Sequence, residues 1–304
     1  MSLHIETPLI LSRPLSLRAG RDIWLKLEAL QPPGSFKLRG IGAACEAHAR
    51  QGKRRFVCSS GGNAGIAVAH AGRRLSIPVT VVVPETTTER AKALIRQEGA
   101  EVIVQGASWF EANDLALSLV GEQDAFVHPF DDPLLWDGHA TLVDEVARDG
   151  LRPDAVVLSV GGGGLFCGVA EGLRRNGGET TPILAVETAG ADAFARSVAA
   201  GERVALDCHS VATSLAARQV CERAFALSRE RPVRNRVVSD REALDACERF
   251  LEDHRLLVEP ACGAALALVY AHPEALADFR SVLVVVCGGA TASLEQIRQW
   301  RAER

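Results

Sequence analysis

Short runs of Val, Ile, Leu and Phe alternate along this chain with longer segments whose apolar residues recur every three or four positions. The runs at 23–27, 56–59, 79–83, 101–104, 125–127, 155–160, 183–186 and 282–287 are predicted to be strands. Most are near-continuously apolar, the pattern of parallel strands covered on both faces. Between them, helical periodicity and start signals predict helices over 37–50, 64–75, 88–99, 108–120, 164–175, 240–254, 261–270 and 294–301. Ser35 reads as the cap of the first helix and Thr86–Thr88 as the cap of the third. Residues 190–239 have a less regular pattern. The repetition of strand, turn and helix predicts an α/β chain with a parallel-rich sheet.

In such sheets ligands bind beyond the carboxyl ends of the strands. Three glycine-rich turns lie there, at 59–65, 161–164 and 287–289, each directly after a strand. Glycine costs backbone entropy, so three such turns point to a ligand approached closely by main chain. Gly161-Gly162-Gly163-Gly164 fits an anion held by backbone N–H groups at a helix N-terminus. It also fits a tight strand–helix turn. A dinucleotide site is a third reading, since Gly161-x-Gly163 opens a G-x-G-x-x-G pattern and Glu187 stands where a ribose-binding acid belongs. That pattern has Phe166 at its sixth position, and it leaves the other two turns idle.

Composition narrows the chemistry through one residue type. Of the 34 basic residues only Lys26, Lys37, Lys53 and Lys92 are lysine, so a reaction needing an amine has four candidates. Lys26 lies in a strand of mixed polarity, Lys53 in a basic turn, and Lys92 on a charged helix; all three read as solvated or pairing positions. Lys37 follows the rigid Pro32-Pro33-Gly34 turn and opens a helix, where the dipole and partial burial would lower its pKa. On local context alone it also fits an ordinary first-turn surface lysine. Asn63 opens another helix, as a cap or as a ligand to an anion, and Cys287 ends a buried strand. His128 and His139 form no metal-ligand or triad spacing.

Bulk properties exclude more than they select. A length of 304, 47% hydrophobic residues and 24% charged residues describe an ordinary globular chain with one large domain or two smaller ones. A net charge of −4 gives no reason to expect nucleic acid or an anionic membrane. Runs such as 281–287 fall far short of the roughly 18 apolar residues of a membrane span. The first eleven residues, with Glu6 and Pro8, do not read as a signal peptide. Eight cysteines without a CxxC pair suit a reducing, cytoplasmic setting.

Taken together, the motifs resemble a known family. Pro33-Gly34-Ser35-Phe36-Lys37-x-Arg39-Gly40, Ser59-Ser60-Gly61-Gly62-Asn63-Ala64-Gly65, the tetraglycine and Val286-Cys287-Gly288-Gly289 resemble pyridoxal-phosphate enzymes of the tryptophan-synthase-β fold, fold type II. Phe130-Asp131-Asp132-Pro133-Leu134, Gly138-His139, Ser159-Val160-Gly161 and Val258-Glu259-Pro260-Ala261-Cys262-Gly263 are most similar to the catabolic L-serine/L-threonine dehydratases.

The resemblance implies two open, parallel-rich sheets flanked by helices, with a small domain at 34–127 and a large one from 1–33 and 128–304. It implies that Lys37 holds pyridoxal 5′-phosphate as a Schiff base and abstracts the substrate's Cα proton. Phe36 and Ser214 would lie on opposite faces of the ring, Asn63 at its phenolic oxygen and Cys287 at its nitrogen. Gly161, Gly162, Gly163, Gly164 and Leu165 would hold the phosphate. Ser59, Ser60, Asn63 and Ala64 would hold the substrate carboxylate.

A monovalent cation, K+ or Na+, would have ligands at Gly161, Glu187, Ala191, Leu215 and Ala217. The implied reaction is deamination of L-serine to pyruvate, or of L-threonine to 2-oxobutanoate, in a cytoplasmic homodimer. β-Replacement, as in cysteine synthase or threonine synthase, and a catalytically silent amino-acid binder are the alternatives. Racemising relatives carry serine where Gly61 stands, so racemisation is not expected. Gly61 and Ser214 differ from part of the family, which bears on rate and on serine against threonine. No regulatory domain follows residue 304, so feedback control by isoleucine is not expected.

Overall fold

The computed structural model describes residues 2–303. Among the described residues ten strands form two sheets. In chain order they are β1 (Leu9–Leu11), β2 (Asp22–Lys26), β3 (Arg55–Cys58), β4 (Val79–Val83), β5 (Glu101–Val104), β6 (Asp124–Phe126), β7 (Ala155–Ser159), β8 (Ile183–Thr188), β9 (Val233–Val238) and β10 (Ser281–Val285). The six-stranded sheet runs β1-β2-β10-β7-β8-β9 and draws on both ends of the chain; the four-stranded sheet runs β5-β4-β3-β6. Every pairing is parallel except β1 with β2. β4, β7 and β8 are buried along their whole length, as apolar runs between two helical layers must be. No helix among the described residues is long and apolar enough to cross a membrane.

The periodicity reading misses several elements. Residues 190–239 hold helices Ala193–Ala200 and Glu222–Glu230 as well as β9. β9 is an edge strand carrying Arg234, Asn235 and Arg236, so it lacks the apolar run of a central strand. The helix Pro133–Arg148 begins in a Pro- and Asp-rich stretch that resembles a loop, with Asp132 capping Leu134 N–H at 2.8 Å.

Two lysines read as solvated are buried. Lys26, in the interior strand β2, is fully enclosed, its ammonium donating to the Thr7 carbonyl at 2.6 Å and pairing with Glu145 of helix Pro133–Arg148. Arg39, also fully buried, binds Glu28 (2.7 and 2.8 Å) and Glu145 (2.6 and 2.7 Å). This network ties helix Lys37–Arg50 to the end of β2 and to helix Pro133–Arg148. The two helices also cross closely, since a Cβ on Gly138 would lie 2.6 Å from Gly40 Cα. The start of the lysine-bearing helix is thereby held from two sides. Lys92 is the second: its ammonium pairs with Glu89 at 2.6 Å while the residue is 7% exposed.

Candidate active site

A cleft of about 840 Å³ runs between the sheets. Its walls are the segments that follow β3, β4, β7 and β10, so it lies beyond the carboxyl ends of parallel strands. All three glycine turns face it. Lys37, Phe36, Asn63, Ala64, Ser60, Gly161–Leu165, Ser214 and Cys287 line it together.

Lys37 opens its helix with neither a carboxylate nor a cap beside it. Nζ donates to the Pro129 carbonyl at 2.6 Å and sits 5.2 Å from the centre of the Phe36 ring. Burial pushes the ammonium down to about 8, although Cys58, Cys287 and Glu259 pull it upward. A substantial neutral fraction therefore exists near pH 8. Ser35 does not cap this helix. Its backbone pairs with Gly288 in an isolated bridge, and its hydroxyl is buried at the cleft wall without a hydrogen-bond partner. Behind Phe36 stands His139, ring centres 4.8 Å apart. His139 Nδ1 accepts from the Gly40 N–H at 3.2 Å, and burial with the charges of Lys37 and Arg39 keeps the imidazole neutral.

The tetraglycine turn enters helix Gly164–Arg175 with Gly163 as its N-cap and no side-chain cap. Gly163 is left-handed, φ +100°, and a Cβ on Gly162 would sit 2.4 Å from the Phe130 ring. Only glycine fits at Gly162. The free N–H groups of the helix start and its positive dipole end suit a phosphate.

Asn63 is the first residue of helix Asn63–Leu75, but Gly62 holds the cap position and the Asn63 amide does not cap. Its Nδ2 donates to Glu259 Oε1 at 2.7 Å and to Ser214 Oγ at 3.3 Å, while Oδ1 accepts from the Ala290 N–H at 3.0 Å. Cys287 is buried; the neighbouring Cys262 thiol and burial raise its pKa well above the ordinary value, so it is a neutral thiol.

Some expected residues stand elsewhere. Ser59 is fully buried behind its loop, its hydroxyl donating to Asn113 at 2.7 Å, so its side chain does not reach the cleft. Glu187 is also fully buried, and its two oxygens accept from the N–H groups of Phe194 (2.8 Å) and Ala195 (2.7 Å). A ribose has no access to it, which removes the dinucleotide reading. Burial pushes its carboxyl up to about 8. Gly161, Leu215 and Ala217 line the cleft, and a Cβ on Gly161 would lie 3.3 Å from the Leu215 carbonyl; Ala191 and Glu187 lie behind it.

Residues given no site role from the sequence are Glu259 and Ser35, which entered only within motifs or as a cap, with Thr291 and the Pro129 carbonyl. A lone acid at Glu259 inside an otherwise apolar segment was the available signal. The residues suit pyridoxal phosphate: an amine without a carboxylate partner, a glycine cradle at a helix start, a neutral thiol, and a buried hydroxyl without a partner all border one cavity.

Comparison with known proteins points to the same cofactor. The family model described as pyridoxal-phosphate dependent enzyme matches residues 1–288. L-serine dehydratase/L-threonine deaminase of Mus musculus is 46% identical, over 99% of this chain and 96% of that protein. Serine dehydratase-like of Mus musculus is 47% identical, over 99% and 94%. A fungal L-serine ammonia-lyase from Rhizomucor miehei superimposes with a TM-score of 0.94 at 38% identity, over 100% of this chain and 99% of that one.

Proposed function

This chain belongs to the pyridoxal-phosphate dependent enzyme family, and we propose that it deaminates L-serine to pyruvate and ammonia and L-threonine to 2-oxobutanoate and ammonia. The observation that carries the reading is Lys37: it is the amine in the cleft, it has no carboxylate partner, and its pKa lies near 8. Relatives named for this activity match almost end to end.

When bound, pyridoxal phosphate supplies the electron sink for charge left on the substrate's Cα. The chain's residues do the rest. Lys37 Nζ takes the Cα proton, and a pKa near working pH lets it both accept and return a proton. The N–H groups at the start of helix Gly164–Arg175 would hold the phosphate. Ser60, Asn63 and Ala64 at the neighbouring helix start, with the backbone of Ser59, hold the substrate carboxylate. Phe36 and Ser214 would flank the ring, and Asn63 would donate to its phenolic oxygen. Cys287 would face the ring nitrogen, where its neutral thiol would not force that nitrogen to keep a proton, a setting that would favour rapid loss of the β-hydroxyl. No acid stands at Gly61 to deliver a proton to the opposite face. A Cβ there would meet the Thr87 side chain at 2.6 Å, which supports elimination over racemisation.

We take residues 34–127 as a small domain and 1–33 with 128–304 as a large one, a division the two sheets support. A monovalent cation, K+ or Na+, is assigned to Glu187 and the carbonyls of Gly161, Ala191, Leu215 and Ala217; a buried carboxyl with a raised pKa suits a positive ion. The family resemblance supports a homodimer in the cytoplasm. The test is to record the visible spectrum of protein loaded with pyridoxal phosphate before and after L-serine, then assay the keto acid. Absence of the cofactor's protein-bound band rejects the reading. Turnover of O-acetylserine with sulfide, and none of serine, supports β-replacement.

A further inference from the structure

Glu259 holds the N-cap position of helix Pro260–Ala271, where a carboxylate could accept the helix's free N–H groups, yet it makes no cap bond. Its side chain turns into the cleft and is 3% exposed. Oε1 accepts from Asn63 Nδ2 at 2.7 Å, Oε2 accepts from Thr291 Oγ1 at 2.6 Å, and the Ser214 hydroxyl also donates to it. The chain makes room at Gly289, φ +126°, where a Cβ would lie 2.0 Å from Glu259 Cδ. A buried carboxylate is costly. This one displaces a cap and requires a glycine, and its partners are neutral donors rather than a cation.

The Asn63 amide explains the arrangement. Oδ1 is taken by the Ala290 N–H, so Nδ2 is the atom presented to Glu259 and to Ser214. A backbone donor on one side and a carboxylate acceptor on the other permit a single orientation of the amide. One N–H is committed to Glu259. The other, on a long 3.3 Å contact to Ser214, is the one available for exchange.

We propose that Glu259 is a positioning residue: it fixes the Asn63 amide so that an N–H, not a carbonyl, is presented to the cofactor's phenolic oxygen. The proposal rests on the assignment of Asn63 to that oxygen made above. It predicts that what matters at residue 259 is an acceptor for Asn63, not a negative charge. The hydroxyls of Ser214 and Thr291 can rotate to accept, whereas the Asn63 N–H cannot.

The experiment titrates cofactor-free protein with pyridoxal phosphate, following the visible band, alongside melting temperatures. Glu259→Gln keeps an acceptor and should bind within about 3-fold of native, whereas Glu259→Leu fills the space without accepting and should lose about 10-fold with a shifted band. Asn63→Ala should lose a similar factor, and adding Glu259→Leu to it should cost little more. Should the leucine variant fail to fold, the exchange Asn63→Asp with Glu259→Gln decides. It restores the contact between the two side chains but presents a carboxylate to the cofactor, so melting temperature should recover and affinity should not. Equal losses for Gln and Leu, losses that multiply in the double variant, or an exchange that restores affinity would each overturn the role of Glu259. Native protein that takes up no pyridoxal phosphate would overturn the proposed function and this role together.

Discussion

Replacing Lys37 with methionine separates the cost of the lysine from its use. Methionine keeps an unbranched chain of similar length and removes the charge. The fall of the Lys37 pKa from 10.5 to about 8 corresponds to about 3 kcal/mol against the charged form. Lys37 borders the cleft, and water there relieves part of this, so the figure is an upper limit. The substitution also forfeits the 2.6 Å bond from Nζ to the Pro129 carbonyl, worth about 1 kcal/mol. Desolvation is the larger effect. At pH 7 the cofactor-free variant should therefore be more stable than the native protein by about 1 to 2 kcal/mol.

The sign has a pH signature. Between about 8 and 10.5 the unfolded chain holds more protons at this lysine than the folded one, so native stability rises with pH across that window. Below about 8 the penalty is present in full, and above 10.5 it is gone. The variant's advantage should therefore shrink and then reverse, leaving only the lost hydrogen bond. Urea unfolding of both cofactor-free proteins at pH 7 and at pH 10.5 measures this. A variant no more stable at neutral pH, or a difference that ignores pH, refutes the argument. Turnover should be abolished at every pH, and substantial residual activity would remove Lys37 from the mechanism.

Other perturbations test the surroundings. Gly162→Ala drives a Cβ to 2.4 Å from the Phe130 ring and should weaken pyridoxal phosphate binding by about 10-fold or more, read by equilibrium titration of the visible band. Arg39→Met strands Glu28 and Glu145 with Lys26 alone, and chemical unfolding should register a loss of about 3 to 5 kcal/mol; a loss below about 1 kcal/mol would mean the network is dispensable. Glu187, held near pKa 8 by burial, carries a proton at lower pH that a bound cation must displace. Potassium chloride should then raise the melting temperature more at pH 8.5 than at pH 6, relative to a salt of a large organic cation. An equal rise at both would count against Glu187 as a ligand.

The central strands were legible because β4, β7 and β8 are buried on both faces, so their sequences are simply apolar. β9 and helix Pro133–Arg148 were not, because an edge strand need not be apolar and a helix may start in a Pro-Asp turn. At the site, glycine identity survives in the sequence: Gly162 and Gly163 are required by a ring 2.4 Å away and by a left-handed φ. Hydrogen-bond destinations do not survive there. Ser35 and Asn63 stand where caps belong, yet neither caps, because each is claimed by segments some 200 or more residues away, Ser35 by Gly288 and Asn63 by Glu259, 196 residues on, with Ala290. Local rules describe what a residue can do alone, and these two are placed by long-range pairing.

The lysines show how far such local reasoning goes. Four candidates suggested that solvation would separate three bystanders from one functional amine. Burial does not make that separation: Lys26 is fully enclosed and Lys92 is 7% exposed. What differs is compensation. Lys26 meets Glu145, itself bound to Arg39, and Lys92 meets Glu89, so their ammonium groups remain paired charges. Lys53 donates to the Glu122 carbonyl in a surface turn. Lys37 lines the cleft without an ion pair: a carbonyl, an aromatic ring and thiols are its neighbours, and Glu259 acts on it without forming a salt bridge. An enclosed amine without a counter-ion is the one that gives up its proton near neutral pH and becomes a nucleophile. The same comparison applies to the acids: Glu28 and Glu145 are neutralised by Arg39 and serve the fold, whereas Glu187 and Glu259 are buried among neutral donors beside the cleft. Uncompensated burial, rather than burial or residue type, marks the groups assigned to chemistry in this chain.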